Sequence, residues 1–112
     1  MEPLSIQIYE KNPGKLGYKK PDGANQHSAH AKRDDDVVWQ CIDTLGGSPF
    51  AVLFGEKTPF DRYSYSASGG GTVTAKVRGG TITGFKYKYS VAVFKGSGAP
   101  LTDDPEIIID EG

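Results

Sequence analysis

The stretch Phe85-Lys86-Tyr87-Lys88-Tyr89-Ser90-Val91-Ala92-Val93 alternates apolar and polar side chains with a period of two. Successive side chains of an extended strand point to opposite faces. Phe85, Tyr87, Tyr89, Val91 and Val93 therefore share one face, and Lys86, Lys88 and Ser90 the other. The polar face turns apolar at Ala92 and Phe94, which predicts a strand that has one wet face and enters the core at its far end. A helix would scatter these aromatic residues around its circumference, whereas aromatic and β-branched types suit a pleated surface.

The rest of the chain reads as partners for this strand. Leu4, Ile6 and Ile8 alternate with Ser5, Gln7 and Tyr9, the mark of a half-buried strand. In Asp36–Asp43, Val37, Trp39 and Cys41 share a face, placed inward with the tryptophan. Phe50–Phe54 is almost continuously apolar and predicts a strand buried on both faces. Gly46-Gly47-Ser48-Pro49 lacks an Asn-Gly or Asp-Gly hairpin signal, so these two strands are not expected to pair. Val73, Ala75 and Val77 alternate with Thr72, Thr74 and Lys76; a short Thr81-Ile82-Thr83 piece follows, and Ile107 and Ile109 share a face near the end. About six or seven such strands imply two packed antiparallel sheets, since a single open sheet leaves an apolar face wet. The expectation is an all-β Greek-key β-sandwich with Trp39, Phe50, Val52, Phe54, Tyr87, Tyr89 and Val91 in its core.

Composition agrees. Fifteen glycines and seven prolines, with one methionine and no run of strong helix formers, suit many turns between short strands. The 112 residues fit one domain, 1–112, with long connections at about 10–36 and 55–71 that are the first places to look for a binding surface. Thirteen basic against fourteen acidic residues leave no field that would attract nucleic acid or an anionic membrane. The lone Cys41 excludes an internal disulfide, and no leader or spanning segment is written in the chain, so a cytoplasmic, soluble protein is expected.

Several segments together resemble the cupredoxin-like domains. Asp36-Val37-Val38-Trp39 resembles that family's strand in which a polar turn residue precedes valine and tryptophan, and Ser48-Pro49-Phe50-Ala51-Val52 resembles the strand that follows. Thr58-Pro59-Phe60 lies where the family has its aromatic loop. Tyr87-Lys88-Tyr89-Ser90-Val91 resembles its tyrosine-rich penultimate strand, and Ile107–Ile109 its closing one. An immunoglobulin-like sandwich is the alternative architecture. The departure from the family is informative. Copper members hold the metal with two histidines and a cysteine. This chain has Ser48, Pro49 and Phe50 at the head of the strand where one histidine belongs, and no His, Cys or Met between Tyr89 and Gly112. The resemblance therefore implies a domain without the copper site, and no cofactor.

Candidate chemistry is sparse. His27 and His30 stand near Asn25 and Asp34-Asp35-Asp36, a set that invites zinc or nickel. Two imidazoles supply at most half a tetrahedral site, and the aspartates also suit a turn cap. Cys41, inward beside Trp39, reads as a small hydrophobe rather than a nucleophile. Lys86 and Lys88 lie on the face opposite Tyr87 and Tyr89, which opposes a stacking platform for nucleic acid. Phe60, Tyr63 and Tyr65 form the best candidate surface, an aromatic patch for a peptide or sugar, unless they pack across the open end of the sandwich. With no nucleophile, base and oxyanion donor spelled out, the expected function is a non-catalytic protein-interaction module. Its partner would be another protein; a small-ligand or carbohydrate-binding domain is the alternative, and weak metal binding through the histidine loop a third reading.

Overall fold

The computed structural model describes residues 3–96 and 98–111. Among them it has ten strands: β1 (Leu4–Asn12), β2 (Lys15–Lys19), β3 (Ser28–Lys32), β4 (Asp36–Cys41), β5 (Phe50–Phe54), β6 (Ser64–Ala67), β7 (Thr72–Lys76), β8 (Lys86–Val93), β9 (Leu101–Asp103) and β10 (Glu106–Asp110). One 3-10 turn, Asp43–Leu45, joins the strands on either side of it. No helix among the described residues is long and apolar enough to cross a membrane.

The strands form two sheets packed face to face, one ordered β2-β1-β4-β7 and the other β3-β10-β8-β5-β6. Each sheet is mixed rather than wholly antiparallel. β1 runs parallel to β4 from Leu4↔Val37 to Ile8↔Cys41, and β3 runs parallel to β10 from Ser28↔Glu106 to Lys32↔Asp110. β8 is the central strand of the second sheet. It pairs with β5 along one side, while the other side is shared by β10 at Lys86–Lys88 and β9 at Val91–Val93. Asp104-Pro105 separates these last two strands. Proline has no N–H to give to a ladder, so pairing breaks there, although the Pro105 carbonyl still accepts from Tyr89 N–H at 3.1 Å.

Tyr87, Tyr89, Val91 and Val93 of β8 are buried, as the alternation predicts, together with Trp39, Phe50, Val52, Phe54, Ile107 and Ile109. Trp39 sits among rings, edge-on to Phe60 at 5.5 Å and to Tyr89 at 5.8 Å between centroids. Its indole N–H donates to the Tyr89 hydroxyl at 3.2 Å, so the polar tip of each ring is accounted for inside the core.

Several expectations are corrected. The segment 10–36 is not one loop: Asn12-Pro13-Gly14 turns β1 into β2 with Gly14 at φ 81°, a left-handed value that glycine adopts without strain, and β3 follows. The connection 55–71 likewise contains β6. Phe50–Phe54 is not buried on both faces, because β5 is covered on one side only; Leu53 is exposed and Ala51 half-buried. Thr81–Thr83 makes no strand, and Ile82, Phe85 and Phe94 are exposed.

Candidate functional site

The three expected patch aromatics do not stand together on the surface. Phe60 is fully buried, in ring contact with Trp39, Phe54 and Tyr65, and Tyr65 is buried on β6; only Tyr63 is exposed, at 53%. Local hydrogen bonding turns Phe60 inward. The Thr58 hydroxyl accepts the Phe60 N–H at 3.1 Å and donates to the Arg62 carbonyl at 3.1 Å, closing the loop on itself. Arg78 then ties that loop to the end of β7, its guanidinium donating to the Thr58 carbonyl and its backbone N–H to the Pro59 carbonyl at 2.8 Å. The Tyr65 hydroxyl donates to Asp61 at 2.9 Å, and burial with this carboxylate pushes the phenol up to about 12. Packing across the end of the sandwich is thus the role of Phe60 and Tyr65.

Tyr63 has other neighbours. It lines a hollow of about 170 Å³ together with Ile82, Tyr87, Lys57 and Arg78. Ile82, 54% exposed, is held by its backbone N–H donating to the Tyr87 hydroxyl at 3.0 Å. Phe85, 36% exposed, lies edge-on to Tyr87 at 4.8 Å, and the Lys57 ammonium stands 5.0 Å from the Phe85 ring centroid. An exposed apolar face of Tyr63, Ile82 and Phe85, rimmed by Lys57, therefore closes this end of the molecule. Sequence reading found Tyr63, and it put Phe85 on the apolar face of its strand rather than on the surface. Ile82 was read only as part of a short piece before β8, and its glycine-flanked setting between Gly80 and Gly84 was the available signal for an exposed turn.

His27 and His30 turn to different strands. His30 Nδ1 lies 3.0 Å from Asp110 Oδ1 on β10, whereas His27 Nε2 lies 3.8 Å from Asp103 Oδ2 on β9 and its ring meets Tyr18 edge-on at 5.8 Å. Among the described residues no group of three or more His, Cys, Asp or Glu is arranged to hold a metal ion. Asp34-Asp35-Asp36 shapes the β3–β4 turn: Asp35 accepts the Lys32 N–H at 2.9 Å, Asp34 takes φ 71°, and Asp36 pairs with Lys76 at 3.4 Å. Cys41 is buried, and burial pushes its thiol up to about 11, which keeps it protonated and unreactive at neutral pH.

One feature escaped sequence reading. The Tyr18 hydroxyl and the Gln26 Oε1 are buried without a partner in hydrogen-bonding geometry among the described residues. Burial first, then the Asp103 carboxylate, push the Tyr18 phenol upward. No protein-family model matches the chain, and no curated protein matches it in sequence.

Proposed function

We propose that the chain is a non-catalytic protein-interaction module of cupredoxin-like fold without copper, and that it docks its partner on the Tyr63, Ile82 and Phe85 face. The observation that carries this reading is the half-exposed hollow of about 170 Å³ between Tyr63, Ile82 and Tyr87. Small-molecule sites usually enclose roughly 300–1,000 Å³. A smaller, shallower hollow rimmed by rings matches one aliphatic side chain of a partner, and interfaces draw most of their energy from a few such aromatic anchors. The position of Cys41, sealed beside Trp39, and the engagement of each histidine with its own carboxylate support leaving catalysis and tight metal binding out of the reading. A cytoplasmic location belongs to the same proposal.

The test replaces Tyr63 and Ile82 together, as Tyr63→Ala and Ile82→Ser. Both side chains are exposed, so the fold should persist. Loss of a stoichiometric partner isolated from the native host, with the melting temperature unchanged, is the expected result. Retention of that partner would remove the Tyr63 and Ile82 face as its docking site, and loss of a glycan-array signal instead would move the function to the carbohydrate reading. Elemental analysis showing one copper per chain would remove the copper-free part of the proposal.

A further inference from the structure

β7 is an edge strand, and its free side opens into a groove of about 500 Å³ between Thr74–Gly79 and the wall of Asp61, Arg62 and Tyr65. Which backbone groups face that groove follows from the register. Asp36↔Lys76, Val38↔Thr74 and Gln40↔Thr72 are paired across β4 and β7, and one step on the Val77 N–H donates to the Asp35 carbonyl at 2.9 Å. In an antiparallel ladder, hydrogen-bonded and non-hydrogen-bonded pairs alternate. Val73, Ala75 and Val77 therefore turn their backbone groups to β4, and Thr72, Thr74 and Lys76 turn theirs away from it. Arg78 confirms the parity, because its N–H points outward to the Pro59 carbonyl at 2.8 Å. The outward position is thus filled by the chain itself at Arg78, while at Thr74 and Lys76 the groove floor presents backbone donors and acceptors with no partner among the described residues.

We infer that this groove receives an extended acidic peptide segment of the partner, which adds to β7 as a fifth strand of the first sheet. This inference rests on the interaction-module reading and names its partner chemistry. Strand addition satisfies unpaired edge groups through main-chain hydrogen bonds, and alternate side chains then read the walls. Charge favours an acidic segment: Arg62, Lys76 and Arg78 line the groove against Asp34 and Asp61, and Asp61 already accepts the Tyr65 hydroxyl. The Lys76–Asp36 pair at 3.4 Å is solvent-exposed and weak, so Lys76 can exchange it for a carboxylate of the segment. A second copy of this chain is the poorer occupant, because Asp61, Arg62 and Tyr65 line the same groove and a whole sheet would have to enter between them and β7. The groove also leads to the docking face, since Arg78 lines both it and the hollow beside Tyr63.

The experiment uses the full chain and a fluorescein-labelled peptide of about nine residues alternating valine and glutamate, with two controls: its lysine counterpart, and the same peptide N-methylated on alternate residues. Amide hydrogen exchange followed by NMR gives the residue-level readout. Thr74→Pro is the diagnostic variant, since it deletes an outward N–H on an edge strand and leaves the bonds to β4 in place. Expected are binding of the glutamate peptide, new protection at the Thr74 and Lys76 amides, and at least about tenfold weaker binding for Thr74→Pro, for the lysine peptide and for the N-methylated peptide. The inference is overturned by absence of binding up to about 1 mM, by binding without protection at those amides, or by a Thr74→Pro protein that binds within about twofold of wild type. Protection at Thr74 that depends on protein concentration alone would make a second copy the occupant and overturn it as well. A host partner that is lost from the Tyr63→Ala, Ile82→Ser protein but kept by Thr74→Pro would leave the module reading standing and remove the β7 groove from it.

Discussion

Two tyrosines with almost equal burial have opposite hydrogen-bonding situations, and substitution should separate them. Tyr89 accepts the Trp39 indole N–H at 3.2 Å, whereas the Tyr18 hydroxyl is buried with no partner in hydrogen-bonding geometry among the described residues, the Asp103 carboxylate being the group that would accept its proton if it had one. Removing an unsatisfied buried hydroxyl is neutral or stabilising, while removing the acceptor of a buried donor costs about 1–3 kcal/mol. Tyr18→Phe should therefore leave the denaturation midpoint unchanged or raise it, and Tyr89→Phe should lower it; equal losses for both would show that Tyr18 has a partner in solution. Cys41 supplies a pH signature. Burial raises its thiol from near 9 to about 11, so the folded state holds the proton more tightly than the unfolded state. Its stabilising contribution is complete below the unfolded value and is lost as pH climbs through the folded one. The stability advantage of wild type over Cys41→Ala should shrink between pH 9 and pH 11 in chemical denaturation, and a constant difference across that window would show that the thiol is not sealed.

Elements were legible in proportion to the size of their inward side chains. β4, β7, β8 and β10 carry Val, Ile, Trp or Tyr at alternate positions, and their buried faces were read correctly. β3 buries only Ala29 and Ala31, too small to mark a face, and β9 has three residues, too few to show a period. β2 was hidden by Gly17, which reads as a turn former but serves as a strand residue: a Cβ there would stand 2.6 Å from the Tyr9 ring that lies across it. At the candidate site, spacing put Phe60, Tyr63 and Tyr65 together, and what separated them was the local bonding of the Thr58 hydroxyl and the tie from Arg78, polar contacts that carry no periodic trace. In the glycine triplet Gly69-Gly70-Gly71 the first glycine is required by a close approach, since a Cβ on Gly69 would collide with the Gly47 carbonyl. Because the obstacle is backbone, Gly69→Ala should destabilise by about 1–3 kcal/mol. Gly80→Ala, where nothing lies within 4 Å of the added carbon, should change stability by less than about 0.5 kcal/mol. Urea midpoints that move together for the two variants would sink the close-approach explanation.

The whole molecule is held by pairings between distant parts of the chain, and β10 is the clearest case. It lies between β3 and β8, so its removal would strand β3 from the rest of the second sheet. The Ser28 hydroxyl donates to Glu106 across 78 residues of sequence, at the start of a parallel ladder that no hairpin can template. Closing so long a loop costs entropy before the contact returns anything, which places such folds in the millisecond-to-second range of folding times. β8 pairs with β5 over Tyr89–Val93 and buries the aromatic cluster around Trp39, so these strands form a core without waiting for β10. The expectation is that β10 docks after the rate-limiting step, with its contacts absent from the transition state. Ile107 is fully buried on β10, and Ile107→Ala should cost about 2–5 kcal/mol at equilibrium. By the assembly order above, nearly all of that loss should appear as faster unfolding, with the refolding rate in water within about twofold of wild type. Stopped-flow measurement of both limbs for wild type and Ile107→Ala checks this directly. If the variant instead refolds more slowly by most of its equilibrium loss, the β3–β10 pairing belongs to the folding nucleus, and β8 with β5 cannot be the part that forms first.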